Sequence, residues 1–213
     1  SDGNATDVGN LTQGRYAARG QSSTDSGYTS GGGYPVVDTI DKFPFASDSN
    51  ASNVGELTQS RYRGAGHAST ESGYLSGGNG PSPPARYDTI DKFPFASDAN
   101  ATDVGELTQA KRVGAGQSSS ASGYASGGDA PPYIDTIEKF PFASDANATD
   151  VGELTCGRND AAGQSSTASG YTSGGRISQM FDIIDKFPFA ADGTATDVGN
   201  LTQGRYGIAG TQT

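Results

Sequence analysis

The side chains in this sequence that could do chemistry are mostly oxygen-bearing, and they recur at fixed spacing. Ca²⁺ binds several oxygen ligands, chiefly from carboxylates and amide carbonyls. The stretch SDANATD at 97–103 offers such oxygens at nearly alternating positions, and the same stretch recurs at 144–150. One interpretation of this pattern is a calcium site in each turn, with the ligands Asp98, Asn100, Thr102, Asp103, Asp145, Asn147, Thr149 and Asp150.

The other interpretation of these stretches is purely structural. Asp and Asn side chains build turns by accepting hydrogen bonds from nearby backbone. The glycine and the distal glutamate of an EF-hand loop are not at the required offsets. The fourth copy also changes the pattern to Asp192, Thr194 and Thr196. We therefore expect turn-building side chains and no cofactor, with calcium as the alternative.

Groups suited to catalysis are few. The single histidine, His67, takes the place that other copies give to Gln21, Gln117 and Gln164. A pair of carboxylates could indicate a glycosidase, and one acidic residue does recur in each copy, next to a lysine. These residues are Asp41, Asp91, Glu138 and Asp185. Because groups copied into every repeat are typical of a scaffold, the sequence predicts a protein that is not an enzyme.

Composition narrows the possible partners. The 213 residues carry a net charge of −10, with 32% hydrophobic residues, 32 Gly, 10 Tyr and 9 Phe. A pI near 4.4 leaves no basic stripe to neutralise phosphates, so no nucleic acid partner is expected. No apolar run approaches the roughly 18 residues of a membrane-spanning helix, so no membrane insertion is expected.

An internal repeat organises the chain. Ile40, Ile90, Ile137 and Ile184 recur at spacings of 50, 47 and 47 residues. Each unit has four strand-length pieces separated by Gly, Pro, Asn and Asp, which is what a small antiparallel sheet needs. In the first unit and its neighbours these pieces read AGQSS, SGYTSGG, IDKFPF and ATDVGELT. A four-stranded sheet repeated every 47–50 residues predicts an all-β protein, specifically a β-propeller or propeller segment of four-stranded antiparallel blades.

The repeat resembles the kelch repeat of galactose-oxidase-type propellers. The matching features are a Gly–Tyr strand that ends in two glycines, an aromatic third strand, and a basic residue after the last strand. That basic residue is Arg15, Arg61, Lys111, Arg158 or Arg205. Valine stands where kelch repeats usually have tryptophan in the fourth strand. The sequence FPFASDANATDVGELT is also similar to repeats in uncharacterised proteins of phages and aquatic bacteria. This resemblance implies a virion or extracellular location.

The predicted units do not fill the chain evenly. Complete repeats are expected at about 17–61, 62–111, 112–158 and 159–205, with partial flanking strands at 1–16 and 206–213. The two ends of the chain have nearly the same sequence, since residues 2–20 and 192–210 differ at only four of nineteen positions. This duplication favours a portion of a longer array, whose unpaired strand edges could associate with neighbouring chains.

Variable loops on a constant framework are the expected recognition sites. The link between the double glycine and the third strand differs in every unit, and it contributes aromatic, cationic and soft apolar groups. We predict that a protein or glycan partner binds Tyr34, Arg86, Tyr87, Tyr133, Met180 and Phe181. The other interpretation is that these loops vary because nothing depends on them. The sequence thus predicts a structural and binding protein, such as a phage tail or fibre element or a secreted adhesin. The alternative is a calcium-stabilised carbohydrate-binding module.

Overall fold

The computed structural model describes residues 4–82, 85–112, 114–130 and 132–210, and it is built from sixteen strands. The first sheet contains β1 (Arg19–Ser22), β2 (Ser26–Ser30), β3 (Thr39–Pro44) and β4 (Ser52–Glu56). The second contains β5 (Ala65–Ala68), β6 (Ser72–Asn79), β7 (Arg86–Pro94) and β8 (Thr102–Glu106).

The third sheet contains β9 (Ala115–Ser118), β10 (Ser122–Asp129), β11 (Tyr133–Pro141) and β12 (Thr149–Glu153). The fourth contains β13 (Ala162–Ser165), β14 (Ser169–Ser173), β15 (Ile183–Pro188) and β16 (Thr196–Asn200). Each sheet is an antiparallel meander in which every strand pairs with the next one along the chain. The expected all-β architecture of four-stranded antiparallel sheets is confirmed, and the described residues contain no helix.

One sheet lies inside each predicted repeat. Partial flanking strands were predicted at 1–16 and 206–213, and residues 1–3 and 211–213 of these segments lie outside the described residues. Described residues 4–16 and 206–210 are not assigned to a sheet, so the flanking strands stay a prediction. Residues 9–12 nevertheless bond to the first sheet, where Ala51 N donates to Asn10 O at 2.8 Å.

A glycine–phenylalanine pair joins the second and third strands of every sheet. In the second sheet Gly73 is directly opposite Phe93, and the ring covers the glycine so closely that a Cβ there would be 2.3 Å from Cζ. An aromatic ring laid over a glycine on the adjacent strand shields its backbone and fixes register. The same pair occurs as Gly27 with Phe43, Gly123 with Phe140 and Gly170 with Phe187.

The apolar cores lie between sheets rather than within one. Tyr28 of β2 packs against Phe93 and Phe95 of the second sheet, at ring-centroid distances of 5.6 and 4.8 Å. Ile40 and Leu57 complete this cluster from the first sheet's side. The equivalent residues make the same contacts between the second and third sheets and between the third and fourth. Each sheet therefore buries the face of its neighbour, as stacked repeats must.

The first strands of the sheets stand side by side in chain order. A Cβ on Gly66 would lie 2.7 Å from Gly20 O, and one on Gly116 would lie 2.5 Å from Gly66 O. Gly163 and Gly210 continue the series, each against the carbonyl of the glycine before it. A single cavity of about 490 Å³ is lined by residues from β1, β5, β9, β13 and the segment 208–210. Glycine is required here because the backbones approach too closely for any side chain.

Candidate functional site

The repeated carboxylate lies at the interface between sheets and has a basic partner. Asp91 is fully buried on β7, and one of its oxygens pairs with Arg61 Nη2 at 2.5 Å. The same carboxylate accepts hydrogen bonds from the backbone N and the hydroxyl of Thr58 at 2.9 and 2.6 Å. A buried charge must be paired and hydrogen-bonded. These contacts leave Asp91 no access to a substrate.

Every sheet repeats this buried pair. The partners are Arg15 with Asp41, Arg61 with Asp91, Lys111 with Glu138, and Arg158 with Asp185. Burial lowers the pKa of Arg61 and of Lys111, and the adjacent carboxylate opposes that shift. The carboxylates that could resemble a glycosidase pair are thus placed one per sheet, each against its own cation.

His67 is buried on β5 in a polar network that joins sheets. Its Nδ1 is 3.1 Å from Gln117 O, so Nδ1 carries the proton, and Nε2 accepts from the Ser76 hydroxyl at 2.9 Å. Burial lowers the pKa of His67 to about 4, against the opposing effect of the bond to Gln117. Gln117 likewise bonds a serine of its own sheet, Ser126 Oγ, and a carbonyl of the next sheet, Tyr171 O. The histidine is a neutral scaffold group with the role of a glutamine.

The oxygens of the SDANATD turn bond to the preceding sheet and to their own backbone. Asp98 accepts from Lys42 Nζ at 3.1 Å, and Asn100 Oδ1 accepts from Glu56 N at 3.1 Å. Asp103 Oδ1 accepts from Gly105 N, while Thr102 lies in β8 opposite Lys92. The equivalent contacts of the next turn are Asp145 with Lys92, Asn147 with Glu106 N, and Asp150 with Gly152 N, and Thr149 pairs with Lys139.

These contacts give each of the predicted calcium ligands a structural role. In the described ranges, no group of three or more His, Cys, Asp or Glu side chains is placed to hold a metal ion. The turn-building interpretation accounts for the geometry, and the calcium interpretation stays a prediction that chelation can test. The hydrogen bond between Lys42 and Asp98 raises the pKa of Lys42, as expected for an ion pair between neighbouring sheets.

The variable loops of the first and second sheets form an aromatic cleft of about 570 Å³. Tyr16 lies at its centre, with ring centroids 6.2 Å from Tyr34 and 5.9 Å from Tyr62. The other lining residues include Pro35 on one wall, and Pro81 and Arg86 on the other. Tyr34 is 86% exposed and adopts a φ of 71°, which is rare for a large side chain. We refer to Tyr16, Tyr34, Tyr62, Pro81 and Arg86 as the tyrosine cleft.

The structure brings together only part of the predicted recognition set. Tyr34 and Arg86 line the tyrosine cleft, and Tyr87 supports it from behind, because its hydroxyl lies against Gly80 of the cleft wall. Tyr133 is 43% exposed at the start of β11 in the third sheet. Met180 and Phe181 precede β15 in the fourth sheet and do not line the cleft.

Sequence reasoning missed Tyr16 and Tyr62, which also line this cleft. Each follows the basic residue of the buried ion pair, and each backbone pairs with the loop after the double glycine, Tyr16 with Gly33 and Tyr62 with Asn79. The feature of the sequence that could have indicated these two tyrosines is the dipeptide Arg–Tyr, which occurs at 15–16, 61–62 and 205–206. The third and fourth units have Arg112 and Asn159 there, so only the first two units present adjacent tyrosines.

No protein-family model and no curated protein matches this sequence. In the part of the chain that the structure describes, no helix has the length and apolar character needed to span a bilayer.

Proposed function

We propose that this is a non-enzymatic structural and binding protein that recognises a protein or glycan partner through the tyrosine cleft. The observation that carries the proposal is the convergence of three tyrosine rings, two prolines and Arg86 on one concave surface. Tyrosine offers large, rigid contact area with a polar tip, and tyrosine and arginine are favoured contact anchors. A concave, mostly apolar site with a few polar groups is where a ligand is expected to bind.

The conformation of Tyr34 also supports this proposal. A bulky residue at positive φ is strained, and such strain concentrates at ligand-binding and active sites. Tyr34 combines that strain with the highest exposure of any large hydrophobic residue described. Burial does not hold the ring in place, which leaves its face free for a planar ligand surface such as a sugar ring or a proline.

The absence of catalysis is part of the proposal. The four repeated carboxylates are fully buried against cations, and His67 is 1% exposed. A general acid or base must reach the substrate by a hydrogen bond or through one water. These groups point into interfaces between sheets instead, so the chemistry-bearing residues act as scaffold.

For the scaffold we propose a kelch-like propeller arrangement. Four meander sheets, first strands adjacent in series, and a cavity lined by all of those first strands support it. The resemblance of the repeat text to proteins of phages and aquatic bacteria is what favours a virion tail or fibre component, or a secreted adhesin. In that setting the rigid sheets would present the tyrosine cleft outside the cell.

The test is a binding screen against glycans and peptides, followed by substitution in the cleft. Tyr34→Ala and Tyr16→Ala should each weaken binding of the partner about tenfold or more, because alanine removes the stacking surface. Tyr133→Ala, an exposed tyrosine outside the cleft, is the matched control. Equal losses of affinity from Tyr133→Ala and Tyr34→Ala would contradict the assignment of the tyrosine cleft as the recognition site. So would an unchanged affinity in all three variants.

A further inference from the structure

A second, smaller pocket lies beside the tyrosine cleft and contains charged side chains. Its volume is about 240 Å³, and Tyr16 lines both this pocket and the cleft. Ala161 and Ile208 line both this pocket and the cavity of about 490 Å³ between the first strands, so the two adjoin. The charged residues among those described in its lining are Arg19, Arg63 and Asp160. We refer to this pocket, defined by these three residues, as the charged pocket.

Each of the three charged residues departs from the repeat. At the position of Arg19 the other copies have alanine, namely Ala65, Ala115, Ala162 and Ala209. Arg63 and Asp160 share one repeat position, and the other copies have Ala17, Val113 and Gly207 there. The repeated framework therefore does not require these charges, unlike the buried ion pairs that recur in every sheet. Groups that vary on a constant framework are candidates for recognition.

The backbone conformation at the second of these positions does not depend on the side chain. The φ angle is 53° at Ala17, 58° at Arg63, 52° at Asp160 and 67° at Gly207. Hydrogen bonds join neighbouring copies, since Arg63 N donates to Ala17 O at 3.0 Å and Gly207 N donates to Asp160 O at 2.8 Å. Because alanine and glycine make the same turn, the charged side chains are not needed to build it.

The two arginines of the charged pocket lack a carboxylate partner of their own. Arg19 donates from Nε to Gly64 O at 2.6 Å and from Nη1 to Ala18 O at 3.1 Å, and both acceptors are neutral carbonyls. Within the described ranges, Arg63 makes no ion pair and no side-chain hydrogen bond. Its guanidinium lies 6.0 Å from the ring centroid of Tyr62. Arg19 Nη2 and the guanidinium of Arg63 are therefore available to a ligand.

The carboxylate in the charged pocket is already bound by another cation. Asp160 Oδ2 accepts from Nε and from Nη2 of Arg176, each at 3.1 Å. Burial lowers the pKa of Arg19, the charge of Asp160 opposes that shift, and the charge of Arg63 adds to it. Arg19, Arg63 and Arg176 thus set three positive charges against one carboxylate, an excess of two. This local excess occurs in a chain whose net charge is −10.

We propose that the charged pocket binds a small oxyanion, with phosphate or carboxylate oxygens, between Arg19 and Arg63. Guanidinium groups bind such oxygens through charge-assisted hydrogen bonds, which are stronger than those between neutral groups. The anion would balance the local excess of positive charge that the described residues leave. This site is separate from the tyrosine cleft, and the proposal does not depend on the function assigned to that cleft.

The experiment titrates the 213-residue chain with inorganic phosphate and, separately, with malonate, by calorimetry at constant ionic strength. We expect saturable one-to-one binding of at least one of these anions. Arg63→Ala and Arg19→Ala should each weaken binding of the anion about tenfold or more, because each removes a charged donor. Both changes introduce the residue that another copy already has at that position, so neither should disturb the fold.

Three further variants separate binding in this pocket from other effects. Asp160→Asn should tighten binding of the anion at least about twofold, because it removes a repelling charge and releases Arg176. Lys186→Ala removes an exposed positive charge on β15 outside the pocket, and it should leave the affinity unchanged. Tyr34→Ala alters the tyrosine cleft alone and should also leave the affinity for the anion unchanged.

Three results would overturn the proposal. The first is no saturable binding of either anion to a chain that is folded, as judged by circular dichroism and a cooperative melt. The second is an unchanged affinity in both Arg63→Ala and Arg19→Ala. The third is an equal loss of affinity in Lys186→Ala, which would show that the anion responds to the total charge of the chain and not to this pocket.

Discussion

At the scale of single residues, the repeat is held together by buried charge pairs between sheets. The pair that has Lys111 in place of arginine is also the pair that has Glu138 in place of aspartate. The longer carboxylate compensates for the shorter base, so the pair keeps its contact. This exchange was visible in the sequence, but nothing in the local spacing showed that residues about thirty positions apart would meet.

Removing one partner of a buried pair should be costly. Asp91→Asn keeps the shape of the side chain but leaves Arg61 buried without its counter-charge, so we expect a loss of about 3–5 kcal/mol in the free energy of unfolding. Asp98→Asn is the control, because its ion pair with Lys42 lies at the surface and should contribute about 1 kcal/mol or less. Urea unfolding measures both, and similar losses would contradict the assigned role of the buried pair.

His67 should make stability depend on pH. Its pKa is about 4 in the folded protein and near 6.5 when unfolded, so the unfolded state binds more protons between those values. Stability therefore falls as pH drops from about 6.5 to 4, by roughly 3 kcal/mol from this group at 1.36 kcal/mol per pH unit.

His67→Gln supplies the residue found at the same place in the other units, and it should remove this part of the pH dependence. The measurement is the free energy of unfolding of both proteins at pH 7 and pH 4. The two proteins differ only at this residue, so the difference between their pH profiles isolates the histidine. Parallel pH profiles would show that His67 is not buried and neutral.

At the scale of the elements, composition and spacing were enough to predict the strands but not what joins the sheets. The period of the isoleucines, the prolines and the recurrent glycines predicted four antiparallel meanders, and these are present. The partial strands predicted at 1–16 and 206–213 stay a prediction, since part of each segment lies outside the described residues. The glycine contacts between first strands could not be predicted, since they depend on distance between units.

Those glycine contacts lead to a test with a control inside the same chain. Gly116→Ala would place a Cβ 2.5 Å from Gly66 O, and backbone cannot move aside as a side chain can. We expect a loss of about 3 kcal/mol or more in the free energy of unfolding. Gly20→Ala meets nothing closer than 4.0 Å and should change it by about 0.5 kcal/mol or less. Equal effects on thermal melting would mean that the first strands are not packed as described.

At the scale of the whole molecule, the proposed function depends on which loops converge, and sequence alone could not decide that. Of the six residues predicted for recognition, two line the tyrosine cleft, one supports it, and the remaining three lie on the third and fourth sheets. Tyr16 and Tyr62 were not among the six, since they follow the buried base and do not lie in the variable links. The fold brings them into the same cleft as Tyr34, which no spacing along the chain could show.

The central claim is that four stacked sheets form a scaffold whose SDANATD turns are held by hydrogen bonds and ion pairs and need no metal ion. The most direct test is the mass of the native particle by light scattering, with and without a chelator of divalent cations. The account predicts a single species of 21.6 kDa in both conditions. A larger particle would show that copies of the chain associate with one another, and a change of mass on chelation would show that the SDANATD turns hold calcium.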